Sequence, residues 1–303
     1  MEETKNRITL IVCGVIISAL AYAGVSTAGV IRHDRTDSSY TQLAASSYYS
    51  GVGDMLINNY STRCSGTVIS SNWVLTAAHC VDDSPSDISF AVGGEVYSGV
   101  NWVTHENWDS TKLTDGWDLA LVELDRSVSG VTVADLYRGT DELDTEGTNV
   151  GFGRTGTGLT GATELSGTKR AGNNMIDELA SWYGWSGDIL LQDFDNPDNR
   201  FDSSFGSKSP LELEYLIAPG DSGGGLFIWE GGQVYLAGVH SFISWNDGFG
   251  DSDYGDLAGS TRVSSFVEWI DENVSPVPEP ATMFLLGTGL VTLAGLRHRR
   301  KKE

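Results

Sequence analysis

A histidine and a serine stand in two short segments whose residue types suit nucleophilic chemistry. His79 follows two alanines and precedes Cys80, and Ser222 lies among glycines in the segment 220–225. Small neighbours let a histidine pack tightly, and glycines leave room for a substrate carbonyl to approach the serine hydroxyl. Unhindered backbone N–H groups can then bind the oxyanion that develops on that carbonyl. The two segments therefore predict a serine nucleophile with a nearby base.

Asp118 supplies the acid that such a pair needs. It precedes the apolar run 119–122, Leu-Ala-Leu-Val. A carboxylate that enters an apolar strand is costly to bury unless it accepts hydrogen bonds. We therefore expect Asp118 to be paired, and His79 is the candidate partner.

Strands and turns must position these residues. The chain has 37 glycines and seven prolines, with short Val, Ile, Tyr and Trp runs between Gly, Asn, Asp and Ser clusters. This alternation indicates an all-β body. The segment 64–80 predicts two strands joined by a turn at Ser70–Asn72 and ending at His79. Met175–Trp182 and Ser264–Val274 predict two short peripheral helices.

The N-terminus predicts a secretory signal peptide over residues 1–28. Lys5 and Arg7 precede an apolar stretch from Ile8 to Ala21, and small residues up to Ala28 suit cleavage. The apolar stretch is shorter than the roughly 20 residues of a spanning helix. Signal peptidase is therefore an expected partner during export.

Cys64 and Cys80 are the two cysteines that remain once this leader, which contains Cys13, is removed. One pair in an exported protein predicts a disulfide. A closed loop of this size stabilises the fold by on the order of 3 kcal/mol, and it would fix the backbone next to His79.

The C-terminal residues 276–303 form a second targeting segment. Pro278-Glu279-Pro280 leads into an apolar run, Met283–Leu296, and then into a basic tail. The three parts in this order resemble the PEP-CTERM sorting signal of Gram-negative bacteria. The resemblance implies cleavage by an exosortase, transient association with the inner membrane, and a final location at the cell surface, in the extracellular matrix or in the medium. A permanent transmembrane helix is the alternative for this segment.

Three motifs in chain order give the body its family resemblance. They are Thr76-Ala-Ala-His-Cys80, Asp118-Leu-Ala-Leu121 and Gly220-Asp-Ser-Gly-Gly224. Together they resemble the chymotrypsin/trypsin-like serine peptidases, and further similarity spans most of residues 52–274. The resemblance implies two six-stranded antiparallel Greek-key barrels with a short C-terminal helix. The peptidase domain is expected to cover residues 29–275.

The resemblance also implies a role for each residue of the site. Ser222 attacks a peptide carbonyl, His79 transfers the proton, and Asp118 orients His79. Gly220 and Ser222 would form the oxyanion hole with their backbone N–H groups. Ser241 would lie beside Asp118 and open the strand that pairs with the substrate backbone. No metal or other cofactor is implied, and the expected partner is a protein or peptide substrate.

The same resemblance places Leu216 at the base of the pocket for the side chain that precedes the cut. An apolar base leaves a cationic side chain unpaired, so cleavage after Arg or Lys is not expected. Ile243 and Ala258 would form walls, Phe242 would also contact substrate, and small or medium apolar side chains are favoured. His240 offers an alternative, since it could bind a carboxylate, but packing in the core is the role we expect for it.

One departure concerns the mature N-terminus. The family begins with Ile-Val-Gly-Gly, whose ammonium group pairs with the aspartate before the serine. No such sequence precedes Cys64, and Gly29-Val30-Ile31-Arg32-His33 is the nearest stretch. The sequence therefore assigns no partner to Asp221, and it leaves open whether the enzyme is made as a zymogen.

Charge and acid content exclude some functions. The formal net charge of −22 argues against a nucleic-acid partner, because phosphate binding requires clustered Lys and Arg. The acidic stretch 193–199 lacks the glycine and terminal glutamate of an EF-hand loop, so we expect a solvated loop there. A catalytically silent relative that acts as a surface or matrix binding protein is the alternative function. The intact set of His79, Asp118 and Ser222 disfavours it.

Overall fold

A computed structural model describes residues 29–245 and 252–274. Strands dominate this part of the chain, and only two short α-helices accompany them there. The strands are β1 (Gly29–Ile31), β2 (Val52–Ile57), β3 (Thr62–Val68), β4 (Trp73–Thr76), β5 (Ile88–Val92), β6 (Glu95–Thr104), β7 (Ala120–Leu124), β8 (Asp135–Leu136), β9 (Thr145–Gly151), β10 (Thr155–Thr157), β11 (Gly161–Glu164), β12 (Arg170–Ile176), β13 (Glu178–Leu179), β14 (Ile189–Asp193), β15 (Tyr215–Leu216), β16 (Gly225–Glu230), β17 (Gln233–Ser244) and β18 (Leu257–Arg262). The helices are α1 (Asp37–Ala44) and α2 (Val267–Val274).

The N-terminal half forms a closed barrel with the strand order β2-β3-β4-β7-β6-β5. Side chains alternate between core and surface in β5, as a half-buried strand requires. Met55, Leu75 and Phe90 are fully buried in its core. Gly66 lies so close to Val74 that a Cβ would stand 2.6 Å from a Val74 methyl group. The predicted pair of strands, β3 and β4, is present in this barrel with Thr67 opposite Leu75.

The C-terminal half is a half-barrel rather than a second closed one. Its strands follow the order β12-β9-β16-β17-β18-β14-β13, and β8 pairs with β17. At the seam between β12 and β14, side-chain amides replace the ladder of backbone bonds. Asn174 donates to the Asp193 carbonyl at 2.7 Å, and Gln192 donates to the Asn174 carbonyl at 3.3 Å. The mostly β, chymotrypsin-like fold is thus confirmed, with one barrel open at this seam.

A small sheet that the sequence did not reveal joins the first described residues to the C-terminal half. Its order is β11-β10-β1-β15, with β1 parallel to β10 and antiparallel to β15. Val30 lies opposite Leu216, and Gly29–Ile31 are all buried. The segment that follows the predicted leader is therefore part of the core.

The predicted helices have mixed outcomes. The C-terminal one is present as α2, preceded by a 3-10 turn at Val263–Ser265. The prediction of a helix at Met175–Trp182 is wrong, because Met175 and Ile176 complete the pairing of β12 with β9. A single 3-10 turn follows at Ala180–Tyr183.

The acidic stretch 193–199 is also not the solvated loop that was expected. Asp193 ends β14 and is 2 % exposed, and Asp195 is 4 % exposed. Three groups of the following loop donate to the Asp193 carboxylate, namely the Ser204 and Phe205 N–H groups and the Ser203 hydroxyl. Folding the loop back onto its own first acid buries this end of the stretch.

Within residues 29–245 and 252–274, no helix has the length and apolar character needed to cross a membrane. The predicted signal peptide and the sorting segment, with its candidate transmembrane helix, lie outside the described residues.

Candidate active site

Two neighbouring strands of the closed barrel bring His79 and Asp118 together. His79 lies in a 3-10 turn, Ala78–Cys80, just after β4, and Asp118 lies just before β7. Thr76, the last residue of β4, is paired with Ala120, the first residue of β7. The end of one strand therefore faces the beginning of the next, and both side chains emerge at the same edge.

Asp118 holds His79 through two hydrogen bonds. The Nδ1 atom of His79 lies 2.7 Å from Oδ2 of Asp118, and the His79 backbone N–H donates to Oδ1 at 2.9 Å. Asp118 is completely buried, whereas the His79 side chain is 30 % exposed. The carboxylate thus fixes one edge of the His79 ring, and the opposite edge of the ring can reach the solvent-facing side.

The C-terminal half also contacts Asp118. Ser241 donates to Oδ2 at 2.5 Å, as the sequence predicts, and the Thr261 hydroxyl donates to the Asp118 backbone carbonyl at 3.0 Å. Ser241 lies in β17 and Thr261 in β18, so both halves of the molecule meet at this acid. Thr261 was not anticipated as a site residue, although it lies within residues 52–274, over which the family similarity extends.

The environment shifts the basicity of His79. Burial alone would lower its pKa, but the hydrogen bond to Asp118 and the negative charges of Asp118 and Asp82 outweigh burial. The pKa of His79 is therefore raised above its usual value of about 6.5. A ring held in this way readily accepts a proton from a hydroxyl group.

The predicted disulfide between Cys64 and Cys80 is formed, with the two Cα atoms 6.3 Å apart. A ring nitrogen of His79 lies within 4.8 Å of both sulfur atoms. Because the sulfurs are bonded to each other, the three residues do not make a metal site. The Cys80 sulfur also lies 3.8 Å from the Ser222 carbonyl oxygen. The disulfide thus lies against His79 on one side and the Ser222 backbone on the other.

Ser65 joins the closed barrel to the segment that carries Ser222. Its N–H donates to the Ser222 carbonyl at 2.7 Å, and its hydroxyl donates to the Gly220 carbonyl at 3.1 Å. The hydroxyl also accepts from the Phe152 N–H at 3.0 Å. Sequence reasoning missed this residue, and its position next to Cys64 was the available signal.

The backbone around Ser222 turns through two glycines in the left-handed region, Gly220 at φ 99° and Gly223 at φ 80°. A Cβ on Gly223 would lie 2.1 Å from the Thr76 hydroxyl, so both conformation and space require glycine there. Among the described residues, no group accepts a hydrogen bond from the N–H of Gly220 or Ser222. These are the two N–H groups that the sequence predicts for an oxyanion hole.

Asp221 points away from the cleft into the core and is completely buried. Its Oδ1 accepts from the Gly153 N–H at 2.8 Å, and its Oδ2 accepts from the Ala218 N–H at 2.8 Å and the Tyr215 hydroxyl at 3.2 Å. Burial raises the pKa of Asp221 to about 7 although all these donors oppose the rise. The partner left open by the sequence is thus a set of neutral donors.

Three of the predicted specificity residues are brought together in the C-terminal half, whereas Phe242 packs against a separate apolar cluster. Leu216 and Ala258 belong to one buried apolar cluster, and Ile243 packs against it. Ile243 and Ala258 are direct partners between β17 and β18. Phe242 packs edge-on against Trp185 at 5.8 Å. Beyond His240, β17 keeps its pairing with β18, while its pairing with β16 has ended at Val239.

His240 is completely buried, and its Nδ1 lies 3.2 Å from the Ser260 hydroxyl. Burial lowers the pKa of His240 to about 3, so its ring is neutral at ordinary pH. A neutral buried ring is a weak partner for a carboxylate.

Comparison with known proteins bears directly on this arrangement. The family model named trypsin matches residues 41–178. Proproteinase E of Bos taurus is 30 % identical over 231 residues, which cover 70 % of this chain and 83 % of that protein. The chain belongs to the trypsin family. It is a serine endopeptidase, and its substrates are peptide bonds in proteins or peptides.

Further relatives of this trypsin-family peptidase extend the comparison. Chymotrypsin-like elastase family member 1 of Macaca fascicularis is 29 % identical over 232 residues, or 70 % of this chain and 79 % of that protein. A solved structure of HL collagenase, 20 % identical, shares the fold with a TM-score of 0.58 over 82 % of this chain and 99 % of its own. The PEP-CTERM protein-sorting motif matches residues 276–301, so the peptidase carries a sorting signal of exported Gram-negative proteins.

Proposed function

We propose that this peptidase cleaves peptide bonds through His79, Asp118 and Ser222. The observation that carries the proposal is the fully buried Asp118 carboxylate, which bonds both the ring and the backbone N–H of His79. A buried carboxylate in this position fixes one ring tautomer, with the proton on Nδ1 and Nε2 free to accept.

The reaction follows from these positions. His79 takes the hydroxyl proton of Ser222 while the serine oxygen attacks the peptide carbonyl. His79 then returns the proton to the leaving amine, and water releases the acyl group by the same steps in reverse. Asp118 stabilises the cationic ring that forms in between.

The backbone N–H groups of Gly220 and Ser222 would bind the carbonyl oxygen as it becomes negative. Both N–H groups lack a protein acceptor among the described residues, and Ser65 anchors the carbonyls of the same two residues. Donors that are fixed before the reaction need no reorganisation when charge develops, so loss of one such donor costs about a hundred- to a thousand-fold in rate.

Replacement of the nucleophile tests the proposal. Ser222→Ala and His79→Ala should abolish peptidase activity and labelling by a fluorophosphonate probe, and both proteins should still fold. Ser209→Ala, on an exposed loop, is the matched control and should keep full activity. Activity at the level of the unchanged protein in Ser222→Ala would refute the assignment.

We further propose that the side chain preceding the cut is apolar and small or medium in size. Leu216, Ile243 and Ala258 share one apolar cluster, so a cationic side chain placed there would lose its hydration without gaining a partner. The unpaired edge of β17 beyond His240 can add the substrate backbone as an extra strand.

A peptide-library digest tests this preference. Cleavage should occur mainly after residues such as Ala, Val or Leu, and Leu216→Asp should shift it toward Arg and Lys. Dominant cleavage after Arg or Lys by the unchanged enzyme would contradict the apolar pocket, and dominant cleavage after Glu would point to His240 instead.

For export, we propose removal of residues 1–28 by signal peptidase and of the tail by an exosortase near Pro278-Glu279-Pro280. The released peptidase domain would cover about residues 29–275 and reach the cell surface, matrix or medium. The buried strand β1 supports a mature chain that keeps Gly29–Ile31. Mass measurement of the exported protein should find neither terminus of the precursor, and intact 297–303 in that material would refute the processing.

A further inference from the structure

The carboxylate of Asp221 lies in the segment between the two proposed oxyanion-hole groups, so its stabilisation bears on their position. It is completely buried, and its three hydrogen-bond donors are all neutral. A buried carboxylate is costly unless hydrogen bonds and positive charge compensate for lost hydration. The position of the nearest positive charge therefore affects how well the Asp221 carboxylate is stabilised.

Arg170 lies on the face of β12 that is turned toward this carboxylate. It is paired with Gly151, where an added Cβ would stand 2.2 Å from Oδ1 of Asp221. Gly172, two residues further and on the same face of the strand, would place a Cβ 2.3 Å from the Cβ of Tyr215. The Arg170 side chain thus begins beside Asp221 and Tyr215.

The guanidinium of Arg170 is completely buried and only partly bonded. Its Nε donates to Asp37 of α1 at 2.5 Å, and its Nη1 donates to the Thr168 carbonyl at 3.5 Å. Its Nη2 has no hydrogen-bond partner among the described residues. Burial raises the pKa of Asp221 to about 7 and that of Tyr215 well above 10, and the charge of Arg170 opposes both rises.

We propose that Arg170 and Tyr215 are positioning residues that hold the oxyanion hole in place. Arg170 supplies the positive charge, and Tyr215 supplies the hydroxyl that bonds Asp221. With Asp221 held, the neighbouring N–H groups of Gly220 and Ser222 face the cleft before any new N-terminus is formed. The inference rests on the proposed function of Ser222.

A free amine at Gly29 is the competing source of positive charge. A Cβ on Gly29 would lie 1.9 Å from the Tyr215 hydroxyl oxygen, so cleavage after Ala28 would leave an amine near that hydroxyl. The hydroxyl already donates to Asp221, and Arg170 is built into the fold. The hole therefore needs no cleavage event in order to form.

Kinetic constants of four variants test the proposal. Arg170→Met should lower kcat about a hundred-fold with little change in KM, since the hole acts on the developing oxyanion and not on ground-state binding. Arg170→Lys should recover at least part of that loss. Tyr215→Phe should lower kcat about ten-fold, the effect of one net hydrogen bond. Lys169→Met is the matched control, because Lys169 lies just before β12 and donates to the Tyr49 carbonyl at 2.5 Å instead of contacting Asp221 or Tyr215.

Two readouts separate positioning from general support of the fold. Removal of the Arg170 charge raises the pKa of Asp221 further, so the acid limb of kcat against pH should move to higher pH. Affinity for a peptide aldehyde, which forms a tetrahedral oxyanion with Ser222, should fall in step with kcat. If Arg170→Met does not fold, the pH profile of kcat and the affinity for the aldehyde can be measured on Arg170→Lys and Tyr215→Phe instead.

Unchanged kcat and pH profile in folded Arg170→Met would overturn the proposal. So would an inactive form with two extra residues ahead of Gly29, since the amine would then be the essential cation. Full activity of that extended form is the expected result. Ser222→Ala distinguishes failure of the proposed nucleophile from failure of the proposed role of Arg170. Activity that survives in Ser222→Ala refutes the nucleophile, independently of the result for the Arg170 variants.

Discussion

Asp118 is the residue on which the geometry of the site most depends. It accepts from the ring and backbone of His79 and from the hydroxyl of Ser241. Asp118→Asn should lower kcat about ten-thousand-fold, because an amide cannot fix the same ring tautomer or stabilise a cationic ring. The pKa of His79 should also fall, since the charge of Asp118 raises it.

A pH profile of kcat/KM checks both effects. His79 must be neutral to act as a base, so activity is lost as the pH falls through the pKa of His79. In Asp118→Asn this acid limb should lie at lower pH than in the unchanged enzyme. Ser209→Ala, on an exposed loop, is a suitable control and should leave the limb in place. An unmoved limb in Asp118→Asn would contradict the pairing.

Among individual residues, those proposed to react were easier to predict from the sequence than those that support them. His79, Asp118, Ser222 and Ser241 stand in recognisable motifs, and the structure brings His79, Asp118 and Ser241 into direct contact. Ser65 is harder to predict, because its position next to Cys64 is the one signal that its own segment offers for its bonds to the carbonyls of Gly220 and Ser222. Its role depends on how the two halves of the molecule dock.

Among the elements, the loop closed by Cys64 and Cys80 contains β4 and the turn of His79. Cys64→Ser with Cys80→Ser should lower the free energy of unfolding by about 3 kcal/mol, because a cross-link of this loop length restricts the unfolded chain. Activity should fall as well, since the Cys80 sulfur lies within 4.8 Å of a ring nitrogen of His79 and 3.8 Å from the Ser222 carbonyl oxygen. Urea unfolding and kcat/KM measure the two effects, and equal stability with and without the bond would contradict the estimate.

Elements with strong local signals were predicted and those set by distant partners were not. The pair β3 and β4 has a clear turn between apolar runs, and α2 has an apolar face. The pattern of Met175–Trp182 predicts a helix, yet seven consecutive pairs with β9 hold β12 extended through Ile176. The three-residue strand β1 is likewise fixed by β10 and β15, which lie far away in sequence.

Several aspartates in the described part of the molecule are buried in surroundings that favour their protonated form. Burial raises the pKa of Asp177 to about 8, where neighbouring Asp193 and Asp195 add to the rise, and that of Asp195 to about 7. Asp221 is shifted to about 7 in the same direction. Between pH 4 and pH 8 the folded state therefore binds more protons than the unfolded state.

The free energy of unfolding should consequently fall as the pH rises from about 4 to about 8. We expect a loss of about 1 kcal/mol or more between pH 5 and pH 8, because one unit of pKa shift corresponds to about 1.4 kcal/mol. Urea unfolding at both pH values measures it. Asp177→Asn should flatten the dependence, and stability that rises over this range would contradict the shifts.

The C-terminal half can open locally along the seam between β12 and β14. Asn174 and Gln192 bridge the seam with side-chain amides, and Asn174 also donates to the Tyr215 carbonyl at 3.0 Å. Local opening there requires fewer cooperative backbone bonds to break than opening of the closed barrel. Amide protons of β12 and β14 should therefore exchange with deuterated water faster than those of β3 and β4. Each opening would break the bond from Asn174 to Tyr215, the residue whose hydroxyl bonds Asp221, so the fraction of molecules with an ordered oxyanion hole would follow the opening equilibrium.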